Sequence, residues 1–339
     1  MEFIAPKHLS SYIKVIGVGG GGVNAVNHMF RQGIVGVDFF VCDNDCHHIE
    51  QSPVPTKIRL EPESSHPTPL EVHDSVVQNA GTIKDYLSEN TKMLFIMAGM
   101  GSTTGTVAAP VIAHIAKEIE TGDEYIPEIL VVAVVTMPFR FEGKARIDKA
   151  LEGLEALRSK VDSIIVMENN KLLEGEKLTF SQCFAKADEM MSSAVNCLIT
   201  PLASHSLINV DFRDLAMVLN GGGDTFMGIG VAQGETRCLD AMLQALQKPL
   251  TTISDMSGAR TVFLHFSFSK EHEPTIDELE QAFSYFNGVC VIQPVVRYGI
   301  GYDETLGESL KVIVVATVIQ PIDMGPDTRT AGVPLFPFF

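Results

Sequence analysis

The chain reads as an α/β protein: a parallel sheet with helices on both faces, then a long helix, then a smaller α/β segment. Three observations predict this. Short apolar, β-branched runs alternate with amphipathic segments through the first half, the pattern of βαβ units. Two of those runs end in turns of glycine and other small residues, and each turn opens a helix. A long stretch from Phe180 to Leu202 then carries apolar residues at helical spacing, including Phe184, Ala187, Met191, Ala194, Val195 and Leu198. With 339 residues, two domains are expected rather than one.

Taken in order, Ile13 to Met29 reads IKVIGVGGGGVNAVNHM. A strand runs into Gly17, four glycines follow at Gly19 to Gly22, and a helical pattern opens at Asn24. Without a Cβ, such a turn lets backbone N–H groups approach an anionic oxygen, and the helix N-terminus adds partial positive charge. This is a phosphate cradle with no named ligand. Gly17, Gly19 and Gly22 also fit the dinucleotide spacing, with Asp38 near the position of a ribose-binding acid, so NAD stands as a rival at this point.

Val37 to Cys42 is a second strand ending in the acidic loop Asp43-Asn44-Asp45. Cys42, Cys46, His47 and His48 cluster there, but no second ligand pair with matching spacing follows, so a loop that carries these residues is expected rather than a metal site. Pro53 to Pro69 reads as loop, and Glu71 to Ser88 as helix. Lys92 to Ala98 is a strand leading into the second small-residue turn, Gly99 to Thr106, with a helix from Val107 or Ala108 to about Glu120. Leu130 to Thr136 is a strand, Arg146 to Lys160 a helix and Ser163 to Met167 a strand. After the long helix, Thr236 to Gln247 and Ile276 to Phe286 are helices. Thr261 to Phe268, Val289 to Arg297 and Lys311 to Ile319 are strands, with Gly299 to Gly307 a loop. The expected division is 1–179, 180–203, 204–319 and a short tail, 320–339.

Composition narrows the function. The 42 acidic and 25 basic residues leave a net charge of −17, which argues against nucleic-acid binding through phosphates. Met1 to Ser11 lacks an apolar run, no stretch is long enough to span a bilayer, and the six cysteines are scattered. A cytoplasmic protein without direct membrane insertion is expected. The tail ends Leu335-Phe336-Pro337-Phe338-Phe339, either a docking peptide for an adaptor or a terminus packed back on the body.

Two small-residue turns suit a mononucleotide triphosphate better than a dinucleotide. The phosphate-lysine pattern G-x-x-x-x-G-K-[ST] is absent. A carboxylate accepts from both N1–H and the exocyclic amine of guanine. Asp188 falls one helical turn after Phe184, so a ring and a carboxylate share a face, and Asn169 just past a strand end adds an amide. In Asn209-Val210-Asp211-Phe212-Arg213-Asp214, the two carboxylates either polarise a water or hold a cation, or Asp211 simply caps the next helix. Spacing leaves these two readings even.

IKVIGVGGGGVNAVNHM, TKMLFIMAGMGSTTGT, VVTMPFRFEGKAR, FAKADEM, INVDFRDLAMVL and DETLGESLKVIVVAT together resemble, in order and spacing, the tubulin-like cell-division GTPase family FtsZ. The likeness runs from about Ile13 to Val318. It implies a Rossmann-like GTP-binding domain, a central helix, a smaller α/β domain with a four-stranded sheet, and a head-to-tail homopolymer in which one subunit's acidic loop completes the GTPase site of the next. It implies phosphate contacts from Gly20, Gly21, Gly22 and Asn24, with Gly101, Thr104, Gly105 and Thr106 opposite. Glu142 and Arg146 would lie at the ribose, Asn169, Phe184 and Asp188 at guanine, and Asn209, Asp211 and Asp214 in the catalytic loop. GTP or GDP and Mg²⁺ would be the ligands.

Departures from the family pattern carry expectations of their own. Ser102, Thr103 and Val107 stand where the family has glycine, and strain is expected if those backbones need positive φ. Glu61 to Pro67 replaces a Gly- and Ala-rich loop, and Asp43 adds a negative charge beside the phosphates. These changes raise an alternative, a non-catalytic paralogue with weakened nucleotide binding that co-assembles with or regulates another filament.

Overall fold

Alternation of apolar residues along the first strands sets the architecture. The computed structural model describes residues 11–318 except 35, 63, 65, 66, 174–176, 204, 205, 209, 221, 222, 255, 257, 291 and 292. Asn209, part of the Glu61-to-Pro67 loop and the whole 320–339 tail therefore lie outside the described residues.

Strand β1 (Ile13–Val18) is followed at once by helix α1 (Gly19–Arg31), then β2 (Val37–Asp43), α2 (Cys46–Gln51) and β3 (Thr56–Arg59). Helices α3 (Pro69–Gln78) and α4 (Ala80–Ser88) lead to β4 (Met93–Gly99), α5 (Thr103–Lys117), β5 (Leu130–Met137), α6 (Lys144–Arg158) and β6 (Ser163–Glu168). The central α7 (Phe180–Ala203) is followed by β7 (Ser206–Ile208), α8 (Phe212–Leu219), β8 (Gly223–Ala232) and α9 (Arg237–Gln247). Strand β9 (Ala259–Phe268), α10 (Ile276–Val289), β10 (Val295–Tyr302) and β11 (Leu310–Val318) complete the order.

Among the described residues, eleven strands join one sheet, in the order β3-β2-β1-β4-β5-β6-β8-β11-β9-β10-β7. From β3 to β6 it is parallel, Ile13 pairing with Val37 on one side and Met93 on the other. Between the halves, among the described residues, β6 pairs with β8 through Ser163 with Gly223 and Ile164 with Asp224, and a bridge from Met167 to Thr251 adds a further link. Beyond it, β8, β11, β9 and β10 form four long strands with the short β7 at the edge.

Successive residues of the parallel strands bury on opposite faces. Val15, Val41 and Phe95 join α1 and α7 on one face; Ile16, Phe40 and Ile96 join α3 to α6 on the other. Met190, Met191, Val195 and Leu198 of α7 share one core with Val26 and Met29 on one side and Phe263 and Val315 on the other. A further core lies between the distal strands and helices α9 and α10. No helix among the described residues is long and apolar enough to cross a membrane.

Several sequence expectations need correction. The four glycines are not a turn before the helix; they are the first turn of α1. Helix α5 starts at Thr103, not at Val107, because Ser102 caps it: its Oγ accepts from the Gly105 N–H at 3.1 Å. Cys46 to Gln51 is helix rather than loop, capped by Asp45, and the proline-rich segment contains β3. Glu71 to Ser88 is two helices that meet at Asn79. Strand β8 was missed because three glycines break its pattern. Two of them are required by packing: a Cβ at Gly228 or Gly230 would stand 1.8 or 1.9 Å from backbone oxygens of α9. The apolar run after Phe286 belongs to α10 as far as Val289, and β10 extends to Tyr302, through the segment expected to be loop. Gly299 lies in that strand because Val210 packs directly against it, 2.2 Å from where a Cβ would be.

Candidate functional site: a crevice at the β1–β4 switch point

The order β3-β2-β1-β4-β5-β6 reverses between β1 and β4, so a crevice opens beyond the carboxyl ends of these strands. Helices α1 and α5 both begin there. Gly19, with φ +66°, turns the chain from β1 into α1, and Gly101, with φ +86°, turns it toward α5. Gly22 is required by packing, since a Cβ would lie 2.0 Å from the Met97 carbonyl oxygen. Gly20 and Gly21 are different: a Cβ there would meet nothing nearer than 3.5 Å. Packing does not demand glycine at these two, and what glycine leaves is bare backbone facing the crevice. The first turn of α1 has neither a side-chain cap nor an acidic residue, so its N–H groups remain donors for an anion.

The opposing turn is more self-contained. Thr106 Oγ1 accepts from the Gly101 N–H at 2.8 Å, and its methyl packs where a Cβ of Gly153 would be. Thr104 Oγ1 donates to Asn44 Oδ1, and Lys149 Nζ donates to Thr103 Oγ1 at 2.9 Å. Ser102 sits at φ −79°, and neither Thr103 nor Val107 has positive φ. The strain expected from these replacements is absent because all three belong to a capped helix start.

At the other end of the crevice, Glu142 Oε1 accepts from the Phe139 N–H at 2.8 Å, and Glu142 pairs with Arg146 at 3.1 Å. Arg140 N–H donates to Asn170 Oδ1 at 3.0 Å, tying this turn to the one carrying Asn169. Asn169 is 5% exposed, and its Oδ1 has no hydrogen-bond partner among the described residues. Burial pushes the Asp188 carboxyl up to about 7, against the lowering effect of His48. Phe184 packs edge-on against Phe139 at 5.3 Å and beside Phe180 at 4.9 Å. A buried orphan acceptor, a poorly solvated carboxylate and an aromatic wall together suit a planar base that donates two hydrogens from one edge.

Sequence reasoning did not place His48 in this site. Its Nδ1 lies 3.0 Å from Asp43 Oδ2 and its Nε2 lies 2.9 Å from Asn24 Oδ1. The hydrogen bond to Asp43 is the main cause raising the ring's pKa above the ordinary histidine value, with partial burial opposing it and Asp45 and Asp188 adding to it. The added negative charge at Asp43 is therefore paired with His48 and 3% exposed. The Cys/His cluster does not converge: Cys42 is in the core with Ile58 and Leu60, and no group of metal-ligating side chains gathers among the described residues. Asp38 lies near the start of β2, where it accepts from the Ser11 N–H at 2.8 Å. That is the wrong end of the strand for a ribose, so the NAD reading loses its acid.

Asp211 and Asp214 sit at the opposite pole. Asp211, with Phe212 and Arg213, lines a cavity shared with Tyr12, Lys92, Asp123 and Ile126, residues that precede β1, β4 and β5. One strand length, about 20 Å, separates this pole from the glycine turns. Asp211 Oδ1 caps α8 by accepting from the Asp214 N–H at 2.8 Å, and Asp214 Oδ2 reaches back to the Asp211 N–H at 3.3 Å. Asp214 also faces Arg297 at 3.5 Å, and Arg213 stacks on Tyr125 at 4.3 Å.

Fold and crevice define a nucleotide-binding protein of the tubulin kind, and the comparisons agree. Residues 12–176 match the tubulin/FtsZ family GTPase domain and 223–320 the FtsZ family C-terminal domain. The chain is 37% identical over 335 residues to cell division protein FtsZ of Coxiella burnetii, covering 97% of this chain and 83% of that one. It is 36% identical to the protein of the same name from Wigglesworthia glossinidia brevipalpis, covering 94% and 81%. Among solved structures, an empty FtsZ dimer of M. jannaschii superposes with a TM-score of 0.81 at 30% identity, covering 96% of both chains. The chain belongs to the FtsZ family.

Proposed function

We propose that this protein binds GTP in the β1–β4 crevice and hydrolyses it in head-to-tail filaments, with Asp211 and Asp214 of one subunit acting on the nucleotide of the next. One observation carries this reading: the donor-lined crevice and the acidic loop lie at opposite poles, so a subunit's carboxylates cannot reach its own nucleotide. The solved M. jannaschii relative is a dimer, which supports self-association.

Gly20, Gly21 and Gly22 would present backbone N–H groups to the phosphates, with Asn24 beside them and the Gly101–Gly105 turn opposite. Thr106 would act through the turn it braces. Glu142 and Arg146 would stand at the ribose, and Asn169, Phe184 and Asp188 would read guanine. Mg²⁺ would enter on the triphosphate oxygens and supply charge neutralisation there. From the neighbouring subunit, Asn209, Asp211 and Asp214 would position and polarise the attacking water, so that catalysis is chiefly orientation and charge placement.

The test is GTP turnover per subunit against protein concentration, with Mg²⁺. Turnover near zero below a threshold and rising steeply above it is expected. Asp214→Asn keeps an acceptor for the α8 cap, so it should bind GTP normally while losing turnover by about a hundredfold or more. Mixing Asp214→Asn with Asp188→Ala should restore part of the turnover, because one supplies the nucleotide and the other the acid. Turnover strictly proportional to concentration, with no rescue on mixing, would sink the shared-site reading.

A further inference from the structure

His48 lies over the first turn of α1. Gly20 and Asn24 are one helical turn apart on the exposed face of that helix, and the ring covers both. A Cβ on Gly20 would be 3.8 Å from the His48 Cε1, and the Asn24 side chain is bound to Nε2 at 2.9 Å. Asp43, 3% exposed, takes the other ring nitrogen at 3.0 Å.

The donor and acceptor requirements of this chain of groups are rigid. Asp43 is a carboxylate and only accepts, so Nδ1 must carry a hydrogen. Asn24 presents its carbonyl oxygen to the ring, so Nε2 must carry one as well. Both conditions hold together only in the imidazolium form. Asn24 then turns its amide N–H₂ toward the crevice, where it can donate to a phosphate. When the ring loses its proton, Nε2 becomes an acceptor facing an acceptor. The amide must rotate, giving its N–H₂ to the ring and its oxygen to the crevice, where it would repel phosphate.

We propose that His48 is a positioning residue that sets which end of the Asn24 amide faces the nucleotide phosphates, and thereby makes nucleotide affinity dependent on proton uptake. The proposal rests on the GTP-binding reading above. The charged groups facing the ring are Asp43 at the end of β2, Asp45 at the cap of α2 and Asp188 on α7, all of which favour the cation. The neighbouring His47 is turned away to Gln51 at 2.7 Å. Asp188 is the base-reading carboxylate and gives the opposite slope, since it must be ionised to accept from guanine. Affinity should therefore peak, with an acid limb from Asp188 and an alkaline limb from His48.

The experiment measures Mg·GTP affinity of the whole chain by calorimetry from about pH 6 to about pH 9, for the wild type, His48→Ala and His48→Gln. Glutamine supplies an N–H₂ to Asn24 but does not titrate, so the ratio of wild type to His48→Gln removes the titration of the nucleotide. Because the His48 charge also lowers Asp188, the ratio is read on the alkaline side, where Asp188 is ionised in both. That ratio should fall roughly tenfold across the alkaline limb, the worth of a charge-assisted hydrogen bond. His48→Ala should bind roughly tenfold more weakly than wild type near neutral pH and lack the alkaline limb. A ratio that stays constant with pH, or His48→Ala binding as tightly as wild type near neutral pH, would overturn the inference while leaving GTP binding in place. Failure of the wild type to bind GTP at any pH would overturn the proposed function and this inference with it.

Discussion

Burial sets the chemistry of Asp188 as much as its position does. Its carboxyl is pushed up to about 7, whereas in the unfolded chain it titrates near the ordinary value of about 4. Between those limits the folded state holds the extra proton, so stability conferred by this group falls as pH rises through that window. Asp188→Asn should flatten that slope and raise the melting temperature above pH 7 in the absence of nucleotide, measured by thermal denaturation against pH. The same substitution should weaken GTP about tenfold to a hundredfold. It should favour xanthine nucleotides, because an amide N–H₂ donates to the 2-oxo group that replaces the exocyclic amine. Asn169 fits the same logic: its acceptor is buried without a partner among the described residues, a cost of about 1–3 kcal/mol that a donor on a bound base would relieve. The residue types at Asn169, Phe184 and Asp188 were legible in the sequence. His48 was not: its Cys/His neighbourhood reads as a loop, and only the fold brings the ring onto Asn24.

Helix starts are where local sequence and structure differ most in this protein. Glycine is a poor helix former, so the sequence predicts a turn at Gly19 to Gly22 ahead of the helix. Here the helix tolerates them because its first turn needs bare backbone and, at Gly22, contact with β4. In α5 the opposite holds: three non-glycine residues predict a strained turn, and the structure shows a capped helix start. Ser102 caps the helix, Thr103 holds Lys149, and Val107 lies inside it. Replacing Ser102, Thr103 and Val107 together by glycine should therefore lower stability by about 1–2 kcal/mol. It should not raise GTP affinity; a denaturation midpoint and a binding isotherm for the triple variant check both. The even choice between cap and acid at Asp211 also dissolves at this scale. A capping box occupies Oδ1 of Asp211 and Oδ2 of Asp214, and this bonding fixes both carboxylates in orientation at the pole.

Across the whole molecule, the halves are tied by a shared core and by the pairing of β6 with β8. Arg158 on α6 reaches Asp224 on β8 at 2.6 Å, and Asp224 is 4% exposed. Burial raises the Asp224 carboxyl, with Arg158 working against that rise. Arg158→Ala leaves this carboxylate buried and unpaired, which should cost about 3 kcal/mol near neutral pH. The loss should shrink as pH falls and Asp224 takes up a proton, so the wild-type and variant denaturation curves should converge in acid.

The sequence by itself determined the layers, the direction of the parallel strands and the two small-residue stretches at their carboxyl ends. These follow from local periodicity and from residue types whose backbone behaviour does not depend on distant partners. Tertiary structure alone decided that both halves share one eleven-stranded sheet, that β8 is a strand despite its glycines, and that His48 bridges Asp43 and Asn24. It also put the acidic loop a full strand length from the crevice. Each of these depends on which surfaces meet after the chain closes on itself, and residues far apart in sequence carry no local pattern that records that meeting.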